Sequence, residues 1–198
     1  MFQRTLTLAV LLCGVVALSA CSSGPKSRRI DPDVDDSIGG TGIDSGDVRA
    51  VTERMARSIL EIEQIAAAAT APIIVVEPIK NGTAFPIDTD IFLVRMRAQL
   101  LKHARGKVQF VARDQLEAIL AERKAKAEGT FTSSGSDTLR GADYILTGNL
   151  LSVTKAGRSE RSDYILYSFR LIDAENSLTV WEDIAEVKKE GQKGILYR

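Results

Sequence analysis

Three strand-forming runs close the chain: Tyr144 to Val153, Tyr164 to Ile172 and Thr179 to Val187. The tetrapeptides Ala156-Gly157-Arg158-Ser159 and Ala174-Glu175-Asn176-Ser177 lie between them as hairpin turns. β-Branched and aromatic residues fit a pleated, half-buried surface, and strands joined by tight turns must pair antiparallel. The C-terminal third is therefore expected to form an antiparallel meander. Strand alternation places Ile165, Tyr167, Phe169 and Leu171 on one face, which predicts the core side. Tyr164 falls on the other face and is the candidate for partner contact, since tyrosine is enriched at interfaces.

Upstream, the hydrophobic period switches to that of helices. Val48, Val51, Met55, Ile59 and Ile62 fall on one stripe behind Ser45, a good N-cap, with Asp47 in the first turn. Ile73-Ile74-Val75-Val76 reads as a buried strand, and Asn81-Gly82-Thr83 as a turn. A second helix begins at Asp88 or Thr89, with Ile91, Val94, Ala98 and Leu101 expected on its buried stripe, and Gly106 ends it. Val108 to Val111 reads as a strand. Asp114 and Glu117 have capping-box spacing for a third helix carrying Leu116, Ile119 and Leu120. The charged stretch from Glu122 is expected to fray into the loop Gly129 to Ser136. The fold class expected is α/β, with helices packed on a mixed, largely antiparallel sheet that ends in the three-stranded meander.

The amino-terminal end carries a different message. Met1 to Arg4 make a short basic start, Leu6 to Leu18 an apolar run, and Leu18-Ser19-Ala20-Cys21 closes it. The run is too short to span a bilayer permanently and has the layout of a secretory signal peptide. Its last four residues match the bacterial lipobox, so cleavage is expected between Ala20 and Cys21, with Cys21 lipidated. Ser22 stands where a lipoprotein retained in the inner membrane would carry Asp, which directs the chain to the periplasmic face of the outer membrane. The expected organisation is a signal peptide over 1–20, a lipidated Cys21 with a flexible linker over 21–44, and a globular domain over 45–198. The linker has few large apolar side chains, too few to offset its ordering entropy. Fully stretched it would reach about 80 Å, with a typical end-to-end distance of about 27 Å.

Composition removes several function classes. With 26 basic and 26 acidic residues, the chain has no clustered cationic excess of the kind a nucleic-acid surface needs. Of its two cysteines, Cys13 leaves with the signal peptide and Cys21 takes lipid, so no disulfide is expected. His103, the only histidine, lies near a helix end, where a cation is favoured without any function, and no nucleophile or carboxylate partner stands near it. Glu117 is the other group tested against a wall-hydrolase reading. Asp31, Asp33, Asp35 and Asp36 do not meet the calcium-loop pattern, because Asp36 and Gly42 occupy the positions that require Gly and Glu. Gly39-Gly40-Thr41-Gly42 follows no strand and lacks the Lys-Ser/Thr of a phosphate loop. Asn81-Gly82-Thr83 fits a glycosylation pattern for which a bacterial lipoprotein gives little use. Glu122 to Glu128, with the loop Thr130 to Ser136, reads as a solvated helix face, with a partner surface as the alternative. No metal or cofactor is expected, and the chain is not expected to be an enzyme.

Several motifs resemble one family. Gly40-Thr41-Gly42-Ile43-Asp44-Ser45-Gly46-Asp47 opens the first helix, and Ile87-Asp88-Thr89 precedes the second. Gly141-Ala142-Asp143-Tyr144-Ile145-Leu146-Thr147-Gly148 starts the meander, and Phe169-Arg170-Leu171-Ile172-Asp173 with Val180-Trp181-Glu182 continues it. Together with the lipobox, these residues resemble the LpoB-type lipoprotein activators of penicillin-binding proteins. The TolB amino-terminal domain and the curli-secretion lipoprotein CsgG share the strand signatures. The resemblance implies a TolB amino-terminal-domain-like fold and a non-catalytic regulator that docks on a class A penicillin-binding protein and stimulates peptidoglycan synthesis. The alternative is a CsgG-like lipoprotein that acts by oligomerisation or scaffolding. That role would need lipid-facing hairpins, and the meander offers no convincing lipid-facing set.

Overall fold

The computed structural model describes residues 27–34, 39–130, 132 and 139–192. The expected signal peptide and Cys21 lie outside the described residues, as do Asp35, Asp36 and most of the loop before Leu139. The elements below all belong to the unit Pro32–Arg198, and residues 27–31 of the preceding unit have no regular structure.

Helix α1 (Ser45–Glu61) begins on a capping box: Asp44 accepts the amide of Asp47, and the Asp47 carboxylate accepts the amide of Asp44. The cap is therefore Asp44, one residue before the expected Ser45, whose hydroxyl instead donates to the Pro32 carbonyl. Val48, Val51, Met55 and Ile59 are buried on the expected stripe. A single turn, α2 (Glu63–Ala66), leads to strand β1 (Ile73–Val76). Strand β2 (Lys80–Gly82) follows, and helix α3 (Asp90–His103) packs beside α1. Strand β3 (Gln109–Phe110) then leads through a 3-10 turn at Arg113–Gln115 into α4 (Leu116–Ala127).

The meander consists of β4 (Tyr144–Ala156), β5 (Glu160–Asp173) and β6 (Thr179–Gln192). The sheet runs β3-β1-β4-β5-β6. β1 is parallel to both β3 and β4, while β4, β5 and β6 are antiparallel. β2 continues the line of β1 and pairs in parallel with Asn149 to Leu151, so the Asn81-Gly82 part of the expected turn is strand. Gly148 passes close against β5: a Cβ there would lie 2.5 Å from the Ser168 carbonyl oxygen and 2.9 Å from the Phe169 ring. Only glycine fits that crossing.

One sheet face carries the core. Cross-strand rows such as Leu146–Leu171–Trp181 and Leu150–Tyr167–Ala185 are buried with the inner faces of α1 and α3. Phe92 sits 5.6 Å from the Tyr167 ring and 6.2 Å from the Phe169 ring. The other face carries Leu151, Val153 and Ile184 in the open. Ile165, Tyr167, Phe169 and Leu171 are buried as alternation predicts, and Tyr164 faces the open side.

Two helices depart from the sequence reading. In α3 the buried residues are Phe92, Leu93, Met96 and Leu100, whereas Ile91, Val94 and Leu101 are 46 %, 54 % and 53 % exposed. The expected stripe is real, but it faces solvent, because the bulkier Phe92 set occupies the core side. In α4 no residue is buried, and no side-chain cap bond forms at its start. Asp114 sits in the 3-10 turn, and Leu120 is exposed. The helix does not fray at Glu122; Glu122–Lys126 and Lys124–Glu128 pair along it.

Candidate functional site

The described residues hold no group of three or more His, Cys, Asp or Glu side chains placed to bind a metal. No described helix is long and apolar enough to cross a membrane. His103 is exposed on α3, where its ring Nε2 lies 3.1 Å from Gln99 Oε1, and Glu117 is exposed on α4. The structure does not bring these two groups together with a nucleophile. Asn81 spends its side-chain oxygen on the Thr83 amide and its amide on the Phe85 carbonyl, closing a local turn. What the fold does offer are surfaces, and a strap that fixes how the chain joins the head.

The strap is built around Asp163. Alternation sends this carboxylate to the core face of β5, where it is fully buried. Arg161, 7 % exposed, lies on the same face two residues before it. Its Nε donates to Asp163 at 2.5 Å and its Nη2 at 3.1 Å. Thr154 of β4 donates to the same carboxylate, and Thr41, upstream of α1, donates at 2.5 Å. Burial pushes the Asp163 carboxyl up, but the hydrogen bonds from Arg161, Thr154 and Thr41 outweigh it and hold it below the ordinary carboxylate value. The Arg161 guanidinium also lies 5.4 Å from the Phe85 ring centroid.

A second clamp lies beside the first. Lys189 of β6 donates to the Gly42 carbonyl at 3.0 Å, to Asp44 at 2.5 Å and to Asp47 at 2.7 Å. Burial alone would lower the Lys189 ammonium, but the two carboxylates reverse this and raise it. Burial likewise opposes the ionised form of Asp44, and the Lys189 and backbone hydrogen bonds prevail and lower it. Below them, burial and the Asp47 and Asp44 carboxylates push the Tyr167 phenol far above its usual range. Thr41 and Gly42 are thus part of the folded head, held across β5 and β6. The sequence signal for this was present but unread: Asp163 is a charge on the apolar face of a strand.

Among the described residues, two surfaces stand open. On the meander, the rows Leu151–Leu166–Glu186 and Val153–Tyr164–Lys188 cross the uncovered face. Tyr164 donates to Glu186 at 2.5 Å, which raises its phenol. Ser168 donates to Glu182 at 2.9 Å, and Lys188 pairs with Glu190 at 3.3 Å. The second surface is the outer face of α3. It borders a crevice of about 250 Å³ lined by Val76, Pro78, Val94, Arg97, Val111 and Arg113, among others. Among the described residues β6 has a strand neighbour on one side only, and Asp183 turns its carboxylate back onto the Ile184 amide at 2.8 Å.

The family profile described as peptidoglycan-synthase activator LpoB matches residues 47–187, from the first turn of α1 through most of β6. The chain belongs to the LpoB family. LpoB-family proteins are non-catalytic lipoproteins, anchored in the outer membrane, facing the periplasm and linked to activation of class A penicillin-binding proteins. Among solved structures, the chain is similar to the LpoB C-terminal domains from Salmonella enterica and Escherichia coli. Each matches with 16 % identity and a TM-score of 0.42, over 71 % of this chain and 98 % of that chain. The NMR structure of Escherichia coli LpoB matches with 15 % identity and a TM-score of 0.41, over 89 % of this chain and 87 % of that chain. A comparison with curated protein sequences finds no significant match.

Proposed function

We propose that the head acts by docking on a class A penicillin-binding protein and binding its active conformation more tightly than its resting one. The observation that carries this reading is the match of the activator family across residues 47–187. A regulator without chemistry of its own can raise a synthase's activity only through such differential affinity, and the gain is limited by the ratio of the two affinities. In this reading Cys21 is cleaved from Ala20 and lipidated, and the chain is held to α1 from Pro32 and Asp33 onward by Ser45 and Arg49. A tether from Cys21 to Asp31 reaches about 35 Å when stretched. Lipid at one end and a rigid head at the other confine the search for a partner to that radius.

The test combines the purified full chain with solubilised class A synthases from the same organism, with binding and glycan polymerisation measured together. Micromolar or tighter binding with a rate increase supports the proposal. Binding without stimulation makes the chain a scaffold, and no binding to any synthase rejects the assignment of partner.

A further inference from the structure

Helix α3 has two apolar faces. At about 100° per residue, Phe92, Leu93, Met96 and Leu100 cluster on the side turned to α1 and the sheet. Ile91, Val94, Ala98 and Leu101 fall on the opposite side, and all four are exposed. A surface helix ordinarily turns a polar face to water, and one that is apolar all round is covered on both sides. An exposed contiguous apolar strip of this kind marks an interaction surface.

Charge says what covers it. Arg97 lies along one flank of the strip, and Arg95 and Lys102 along the other, with Arg105 just beyond the helix end. None of these four cations forms an ion pair among the described residues, and Arg95 Nε is buried without an acceptor. Val94 and Arg97 also line the 250 Å³ crevice, together with Arg113 and the carboxylates of Asp90 and Asp114. On the open meander face Tyr164 pairs with Glu186 and Ser168 with Glu182, while Arg170 Nε is buried without an acceptor.

We infer that the outer face of α3, with the adjoining crevice, docks an acidic protein segment that carries apolar anchors. The partner's aliphatic or aromatic side chains cover Ile91, Val94 and Leu101, one of them entering the crevice. Its carboxylates meet Arg95 and Lys102 on one flank and Arg97 on the other. A second copy of this chain does not fit, because two such faces would bring like charges together. This inference rests on the proposed synthase docking and assigns its location.

The test uses the full chain in detergent and the synthase that binds it. Variants are Val94→Asp, the pair Arg97→Glu with Lys102→Glu, Tyr164→Ala on the meander, and Leu178→Asp in the β5–β6 turn as control. Each is first checked for an unchanged urea midpoint. The α3 variants are expected to lose about tenfold or more in affinity, as truncation of interface anchors does, while the Tyr164 and Leu178 variants stay near the parent. Raising salt from about 0.05 to 0.5 M should weaken the parent more than the charge-reversed pair. Parent-like binding by the α3 variants, or loss confined to Tyr164→Ala, overturns the inference and leaves synthase docking intact. Equal α3-dependent binding to phosphatidylglycerol vesicles makes the face a membrane surface and also overturns it. No binding of the parent to a synthase removes the functional reading and this inference with it.

Discussion

Thr41 donates a 2.5 Å hydrogen bond to Asp163 across 122 positions of sequence. That contact, with the Arg161 ion pair and the Lys189 clamp, makes the segment before α1 part of the head. Removing the carboxylate takes away the anion that Arg161, Thr154 and Thr41 share, and breaking a buried pair from one side costs several kcal/mol. Asp163→Asn should therefore lower unfolding free energy by about 3 kcal/mol, read from a urea titration. Thr41→Val keeps the shape and loses only one bond to a charged acceptor, so about 1.5 kcal/mol is expected. Its amide exchange should rise over residues 40–43 and not in β5.

The clamps also set the pH profile. Asp44 and Asp163 are lowered in the folded head, so their contribution is present above the ordinary carboxylate value of 3.8 and is lost as pH falls through their folded values. Lys189 is raised, so its contribution is complete below the ordinary 10.5 and is lost as pH rises through its folded value. Urea midpoints should therefore be level between these limits and fall on both sides. Lys189→Met should shrink both falls, leaving an alkaline one from the buried Tyr167 phenol, which is also raised in the folded head, while Asp163→Asn should shrink only the acid one.

Gly148→Ala tests the crossing of β4 over β5. The new methyl would press on a backbone oxygen and a buried ring, neither of which yields easily. A loss of about 2–3 kcal/mol is expected, as for overpacking elsewhere in cores. A neutral thermal midpoint would show that β4 shifts at little cost.

The phase of α3 can be read from stability alone. Phe92→Ala should cost about 3–5 kcal/mol, because it opens a cavity against Tyr167 and Phe169. Val94→Asp and Leu101→Asp should change stability by no more than about 0.5 kcal/mol. The reverse pattern would restore the stripe expected from the sequence.

His103→Ala and Glu117→Ala should leave stability within about 0.5 kcal/mol and synthase stimulation unchanged, since both side chains are exposed. Loss of stimulation by either would reopen an active role for that residue.

How far the sequence could be read depended on the range of the interaction. The meander, the face of Tyr167 and Phe169, and the stripe of α1 all follow from local period and were legible. The cap moved by one residue because Asp44 and Asp47 satisfy each other, a reciprocity that a ranking of single cap residues does not see. α3 carries two apolar stripes of similar period, and only contact with α1 and the sheet decides which is inside. α4 has the pattern of a core helix, yet none of its residues is buried. The strap joins Thr41 to Asp163 and Gly42 to Lys189, pairs too distant in sequence for any local rule. The surface on α3 emerged only once its stripe was found on the outside.

The bent-back carboxylate of Asp183 has a consequence for how these heads coexist. Lipoproteins anchored in one leaflet diffuse in two dimensions, where neighbours collide far more often than in dilute solution. A bare fourteen-residue sheet margin would invite them to zip into ribbons. Asp183 occupies one amide of that margin, and Glu182, Glu186, Lys188 and Glu190 keep it wet and charged. Crowding on the membrane then brings heads together without knitting them, and each stays free to meet something other than itself.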